Sequence, residues 1–243
     1  MRFPDFLKKN GTIGFVAPSF GCNREPYKTS FEHALEKFHS MGYQTTLGPN
    51  CFEGSGIGIS NTPEKCAAEL NKMYLSDEAD SIISCGGGEL MCEILDDVDF
   101  DAIKAAKPKW YMGYSDNTNF TFLLTTICDV ASIYGPCAGT FGMEPWDESI
   151  EDCFSLFTGK KLTMQSYQLW EKEGLRDEEH PLEPYNLTEQ SLVRSFLTKK
   201  DQAGEVQAIE TEGTIEFKGR LIGGCMDCLV NLTGTKFDQV KSF

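Results

Sequence analysis

The order of apolar runs along the chain predicts an α/β fold: an open, mostly parallel sheet with flanking helices, followed by the beginning of a smaller C-terminal α/β domain. Three observations lead there. Short runs rich in β-branched residues alternate with segments of helical period between residues 12 and 134. Clusters of Gly, Pro, Ser or Asn punctuate the alternation. From residue 162 the pattern gives way to an acidic, proline-bearing stretch of weak period.

The run TIGFVA at 12–17, closed by Pro18 and Ser19, reads as a buried parallel strand. Residues 27–41 then place Phe31, Ala34, Leu35 and Phe38 at helical spacing, enough to cover that strand. A second strand follows at 43–47. The loop GSGIG at 54–58 leads to Thr62, an N-cap, with Pro63 at the first helical position and Ala67, Leu70 and Tyr74 along one face. A third strand at 80–84 runs into Gly86, Gly87 and Gly88, and a helix begins at 90–95. KWYMG at 109–113 is the fourth strand. The helix predicted over 117–129 is dense in Phe120, Phe122, Leu123, Leu124 and Ile127, and a fifth strand starts at 131–134.

Domain boundaries are expected at 1–161 for the main α/β domain, 162–204 for a linker or substrate-facing loop, and 205–243 for an incomplete C-terminal domain. The last part predicts a strand at 213–217, a Gly223–Gly224 turn and a helix over 225–232. The ending, with Phe237, Val240 and Phe243 at three-residue spacing, reads as a helix cut in mid-pattern.

Composition narrows the function classes. Among 243 residues, 22 are basic and 37 acidic, a net charge of −15, which leaves no basic face to release counterions from nucleic acid or to hold an anionic membrane. No window reaches the ~18 apolar residues of a membrane span, and the N-terminal residues lack the pattern of a secretory leader. A cytoplasmic protein is expected. The ten cysteines fall largely within apolar segments and read as small buried hydrophobes in a reducing compartment. Cys225 and Cys228 have the spacing of half a zinc site, but no second pair follows to complete it.

Candidate chemistry sits at strand ends. Strand, then Gly113-Tyr114-Ser115-Asp116, then helix is the order of a nucleophile elbow, although Asn117 stands where the motif's second glycine would be. Ser115 or Asp116 could equally cap the helix. The triple glycine could bring backbone N–H groups to a developing oxyanion, cradle a phosphate, or only turn the chain tightly. A phosphate site lacks both the G-x-G-x-x-G spacing and a P-loop lysine. A serine nucleophile needs a base. Of the three histidines, His33 and His39 fall on the first helix and His180 in an acidic loop, so none is a convincing partner.

Taken together, APS at 17–19, GGG at 86–88 before LDDVDF at 95–100, GYSDNT at 113–118, YGP at 134–136 and GRLIGG at 219–224 resemble the LD-carboxypeptidase family of serine peptidases. The subgroup they look most like is the microcin C self-immunity peptidases. The resemblance spans residues 12 to 235 and implies a cytoplasmic, usually dimeric hydrolase without cofactor or metal. Such enzymes cut an amide near the C-terminus of a murein peptide or the tail of a microcin-like conjugate. Carried over by position, Ser115 is the nucleophile, the N–H groups of Asp116 and Gly87 form the oxyanion hole, and Gly86, Gly88 and Trp170 contact substrate.

The family's glutamate and histidine would lie beyond residue 243, so the chain resembles the front part of such an enzyme and is expected to be essentially inactive by itself. Position 225, asparagine in the family's GGN motif, is cysteine. A peptide- or conjugate-binding protein on the same fold is the alternative, and a flavodoxin-like nucleotide binder a third reading on fold analogy alone.

Overall fold

The computed structural model describes residues 1–211 and 214–243. Its first half alternates as the apolar pattern requires: β1 (Thr12–Val16), α1 (Tyr27–Ser40), β2 (Gln44–Leu47), α2 (Pro63–Leu75), β3 (Ser81–Ser84), α3 (Phe100–Ala105), β4 (Tyr111–Gly113), α4 (Thr118–Thr126), β5 (Ile133–Tyr134) and α5 (Glu148–Phe157). The five strands form one parallel sheet in the order β2-β1-β3-β4-β5.

Side chains leave alternate faces of each strand and build two cores. Ile13, Phe15, Ile83 and Met112 face one core, with Phe31 and Phe38 of α1 and Phe154 and Phe157 of α5. Val16, Ile82 and Tyr111 face the other, with Leu70 of α2 and Phe120, Leu123 and Leu124 of α4. Gly14 is needed on that second face: a Cβ there would lie 2.7 Å from Ala79 Cβ and from Met73 Sδ. The C-terminal end of α2 is closed by Lys109, a buried side chain whose ammonium donates to the carbonyls of Met73 and Ser76.

Several local expectations change in detail. Residues Met91–Ile94 form a 3₁₀ turn rather than an α-helix, and the helix expected from 117 begins as a 3₁₀ turn, Ser115–Asn117. It also stops earlier, because Asp129 takes a left-handed φ of 55° and turns the chain into β5. Thr62 occupies its N-cap position but makes no capping bond to the helix; its hydrogen bond is to Glu64, whose carboxyl it holds below its ordinary value. The helices α3 and α5 were not anticipated, although Asp99 and Asp147 cap them by accepting from Ala102 N and Ser149 N.

The chain divides into two compact units, one of Met1–Met164, Leu175–Tyr185 and Ile222–Phe243, the other of Gln165–Gly174 and Asn186–Leu221. The boundaries expected at 161 and 204 do not coincide with this division. In the second unit, β6 (Leu169–Glu171) pairs antiparallel with β7 (Leu187–Gln190), and β8 (Ser195–Lys200) with β9 (Val206–Thr211). Three short segments of the expected linker are therefore paired strand. Of the strand expected at 213–217, Gly213 lies outside the described residues and 214–217 are not in a strand. The helix α6 (Met226–Leu232) belongs to the first unit, where Leu232 enters the second core, Leu229 and Phe237 pack on it, and Val240–Ser242 form one 3₁₀ turn. No helix among the described residues is long and apolar enough to cross a membrane.

Candidate active site

In a sheet of order 2-1-3-4-5 the connections leave β1 and β3 in opposite directions, opening a crevice at their carboxyl ends. The loops that follow β1, β3 and β4 meet there. They line a cleft of about 520 Å³ that contains Ser115 and the three glycines Gly86, Gly87 and Gly88.

Tyr114 is extended and Ser115 turns sharply, with a left-handed φ of 59° that a residue with a side chain adopts only at a cost. Its N–H donates to the Tyr134 hydroxyl at 3.0 Å. The side chain is half-buried and faces Gly87, where a Cβ would come within 3.0 Å of Ser115 Cβ and 3.3 Å of its Oγ. Glycine at 87 thus keeps open the space beside the hydroxyl. The N–H groups of Gly87 and Asp116 donate no hydrogen bond among the described residues.

The side chains after Ser115 are structural. Asp116 is buried, and its carboxylate accepts from Ser19 Oγ at 2.6 Å, Met91 N at 2.9 Å and Asn119 Nδ2 at 2.9 Å. Those bonds tie the loop after β1 and the 3₁₀ turn at 91–94 to the Ser115 bend. Asn117, also buried, accepts from the Tyr111 hydroxyl at 2.6 Å and donates to the carbonyls of Gly86 and Tyr114 at 2.9 and 3.2 Å. It joins the triple-glycine turn to the Ser115 turn. That is the physical use of the asparagine that departs from the glycine pattern.

One layer further in, Glu69 of α2 accepts from the N–H groups of Ala17 and Asn50 at 2.7 and 2.8 Å, and Ser60 Oγ donates to the Ala17 carbonyl. Burial raises the Glu69 carboxyl above its ordinary value, opposed by these same bonds.

Cys225 and Cys228 flank this bend from the C-terminal segment. Cys225 N donates to Thr118 Oγ1 at 2.8 Å, and the Cys228 thiol lies 3.8 Å from Asp116 Oδ1. Burial pushes the Cys228 thiol up to about 12, so it stays protonated. No group of three or more metal-binding side chains occurs among the described residues.

The structure brings together Ser115, Asp116, Gly86, Gly87 and Gly88. Trp170 lies in β6 of the second unit, half-exposed and opposite Glu189. None of the histidines lines the cleft: His33 Nδ1 meets the Gly142 carbonyl at 2.8 Å, His39 Nε2 meets Thr45 Oγ1 at 2.7 Å, and His180 pairs with Asp177. Sequence reasoning missed Tyr134, Glu69, Arg24 and Arg176, the last two also cleft residues. For Tyr134 a signal existed, since it opens the quoted YGP motif. The others sit in segments with no local motif.

Residues 13–135, half of the chain, match the sequence description of the LD-carboxypeptidase N-terminal domain. The chain belongs to the LD-carboxypeptidase family. Among its relatives is the microcin C7 self-immunity protein MccF of Escherichia coli, 29% identical over 234 residues, which cover 95% of this chain and 63% of that protein. The Synechocystis protein slr1534, named as a carboxypeptidase, is 25% identical over 166 residues, 68% of this chain and 52% of its own length. The chain therefore spans about half to two-thirds of these LD-carboxypeptidase relatives. A solved structure of mutant MccF in complex with adenosine monophosphate superposes with a TM-score of 0.76 at 24% identity, covering 98% of this chain and 67% of that one, and shares the fold.

Proposed function

We propose that the cleft is the nucleophile half of a serine hydrolase that cuts an amide near the C-terminus of a murein peptide, or the tail of a microcin-like conjugate. One observation carries this reading: Ser115 is held in a left-handed bend against Gly87, with the N–H groups of Gly87 and Asp116 unused beside its hydroxyl. Ser115 Oγ attacks the scissile carbonyl carbon, and its proton passes to a base. The carbonyl oxygen becomes an oxyanion that accepts from the Gly87 and Asp116 N–H groups. Collapse breaks the C–N bond, the leaving amine takes the proton, and water then hydrolyses the acyl-serine.

Among the described residues no histidine lines the cleft, so on this reading they supply the nucleophile and oxyanion site without a histidine base. The same observation favours a second reading, in which the chain captures such a peptide or conjugate without cleaving it. Ten free thiols, eight of them buried, support a reducing cytoplasmic setting, and the family resemblance supports a homodimer for the intact protein.

A peptidyl boronic acid tests the hydrolase reading because it bonds to a serine oxygen without needing turnover. We expect a tetrahedral boron signal in ¹¹B NMR, shifted Gly87 and Asp116 amide resonances, and loss of both on Ser115→Ala. Unmoved amides and no adduct would leave only the capture reading. Hydrolysis by the chain itself should run at least about 1000-fold below an intact relative.

A further inference from the structure

The cleft lining carries two arginines and two carboxylates. One wall carries Phe20, Arg24, Tyr27 and Arg176. The Arg24 guanidinium lies over the Phe20 ring, 5.4 Å from its centroid, and Arg176 lies over Tyr27 at 5.6 Å. The two rings meet edge to face, their centroids 5.2 Å apart. Stacking orients each planar guanidinium while leaving its N–H edge open to an acceptor.

Neither guanidinium has an acceptor among the described residues. Two other arginines are partnered: Arg2 donates to the carbonyls of Ala106, Lys104 and Cys128, and Arg194 forms a two-pronged pair with Glu210. Arg176 is half-buried, on a segment fastened to the first unit by Ser30 Oγ donating to the Pro181 carbonyl at 2.6 Å and Glu144 N to that of Leu182 at 2.9 Å. Its charge reaches the Tyr114 phenol, next to Ser115, and opposes the rise that burial imposes there. Two carboxylates also line the cleft, Glu53 and Glu89. Neither pairs with an arginine: Glu53 packs beside the loop that precedes Arg24, where a Cβ on Gly21 would come 2.2 Å from the Glu53 carbonyl oxygen, and Glu89 N donates to the Gly58 carbonyl.

Arg24 is exposed and Arg176 half-buried, so both oriented guanidinium edges stay open to an anion entering the cleft. We propose that Arg24 and Arg176 form an anion-recognition site that selects ligands bearing a carboxylate or a phosphate beside the group presented to Ser115. Calling those ligands substrates rests on the hydrolase reading; the binding does not.

The test uses the Ser115→Ala chain, so that binding is read without turnover, and two probe pairs in isothermal titration at low salt. One pair is adenosine monophosphate and adenosine; the other is an acetylated dipeptide ending in D-alanine and its carboxamide. In at least one pair the anionic member should bind about tenfold or more tightly than its neutral partner. Arg24→Gln and Arg176→Gln should each erode that preference, and the double variant should abolish it while leaving the neutral member's Kd and the melting temperature in place. Added salt should weaken the preference, as expected for a solvent-accessible ion pair. Preference in the nucleotide pair alone assigns the anion as phosphate, and in the dipeptide pair alone as a terminal carboxylate. Equal binding of both members in each pair, a preference that survives the double variant, or no binding of any probe at about 10 mM would overturn the proposal. A boronate adduct with no anion preference removes this site and keeps the hydrolase; anion preference with no adduct does the reverse.

Discussion

The parallel sheet of the first unit and the hairpins of the second have strands of similar length, but their side chains meet different surroundings. In β1 and β3 eight of nine residues are buried, and both faces carry helices. In β8 and β9 ten of twelve residues are exposed, among them Phe196, Leu197, Val206 and Ile209. A two-stranded ribbon satisfies its backbone hydrogen bonds along one edge only and has no second layer to cover its apolar side chains. The lesson is that hydrogen bonding forms both kinds of strand, whereas burial decides which of them can hold a reactive group in place. The candidate site accordingly stands on the buried sheet, where Asp116, Asn117 and Glu69 fasten three loops to one another.

Hydrogen exchange should show the largest contrast. Amides of β1 and β3 should exchange at least about 1000-fold more slowly than those of β8 and β9, after correction for intrinsic rates. Equal protection would mean that the two units open together. Glycine substitutions come next. A Cβ at Gly142 would lie 1.9 Å from the Ser30 carbonyl oxygen, so Gly142→Ala should cost about 3 kcal/mol or more in urea unfolding. Gly219 in the second unit has nothing within 4 Å of the same position, and Gly219→Ala should change stability by less than about 0.5 kcal/mol.

Glu69 provides a finer probe with a pH signature. Glutamine can accept from only one of the two N–H groups the carboxylate serves, so Glu69→Gln should cost about 1–3 kcal/mol. Because burial raises the Glu69 carboxyl in the folded state, the unfolded chain loses that proton first as pH rises. The contribution of Glu69 is therefore fullest below the unfolded value, about 4.3, and declines as pH rises through the folded one. The deficit of the glutamine variant should shrink over that window when both proteins are unfolded in urea at a series of pH values. A deficit that grows instead would show that the carboxylate is better stabilised in the fold than in water. Phe196→Ala, on an exposed strand face, should have the smallest effect, within about 0.5 kcal/mol.

How far the sequence carried the interpretation follows the same division. The strand–helix alternation through residue 134 was readable because the inner parallel strands β1, β3 and β4 are buried on both faces and must be short apolar runs, and because each covering helix must show a stripe. The triple glycine and GYSD motifs were readable because close backbone approach admits few residue types. The hairpins at 169–171 with 187–190 and at 195–200 with 206–211 were not, since exposed strands of mixed polarity carry no strong period. Nor was α5, masked by the Cys153-Phe154 pair inside a short amphipathic run.

Local pattern alone thus determined the sheet, the family motifs and the identity of Ser115 as the residue to watch, since these depend on neighbours a few positions away. Tertiary structure alone decided that Asn117 would bridge two turns, that Glu69 would reach the backbone after β1 from a different helix, and that Arg24 and Arg176, far apart in the chain, would line one cleft. Those outcomes depend on where separate loops converge, and a convergence of distant residues leaves no mark in the spacing of near ones.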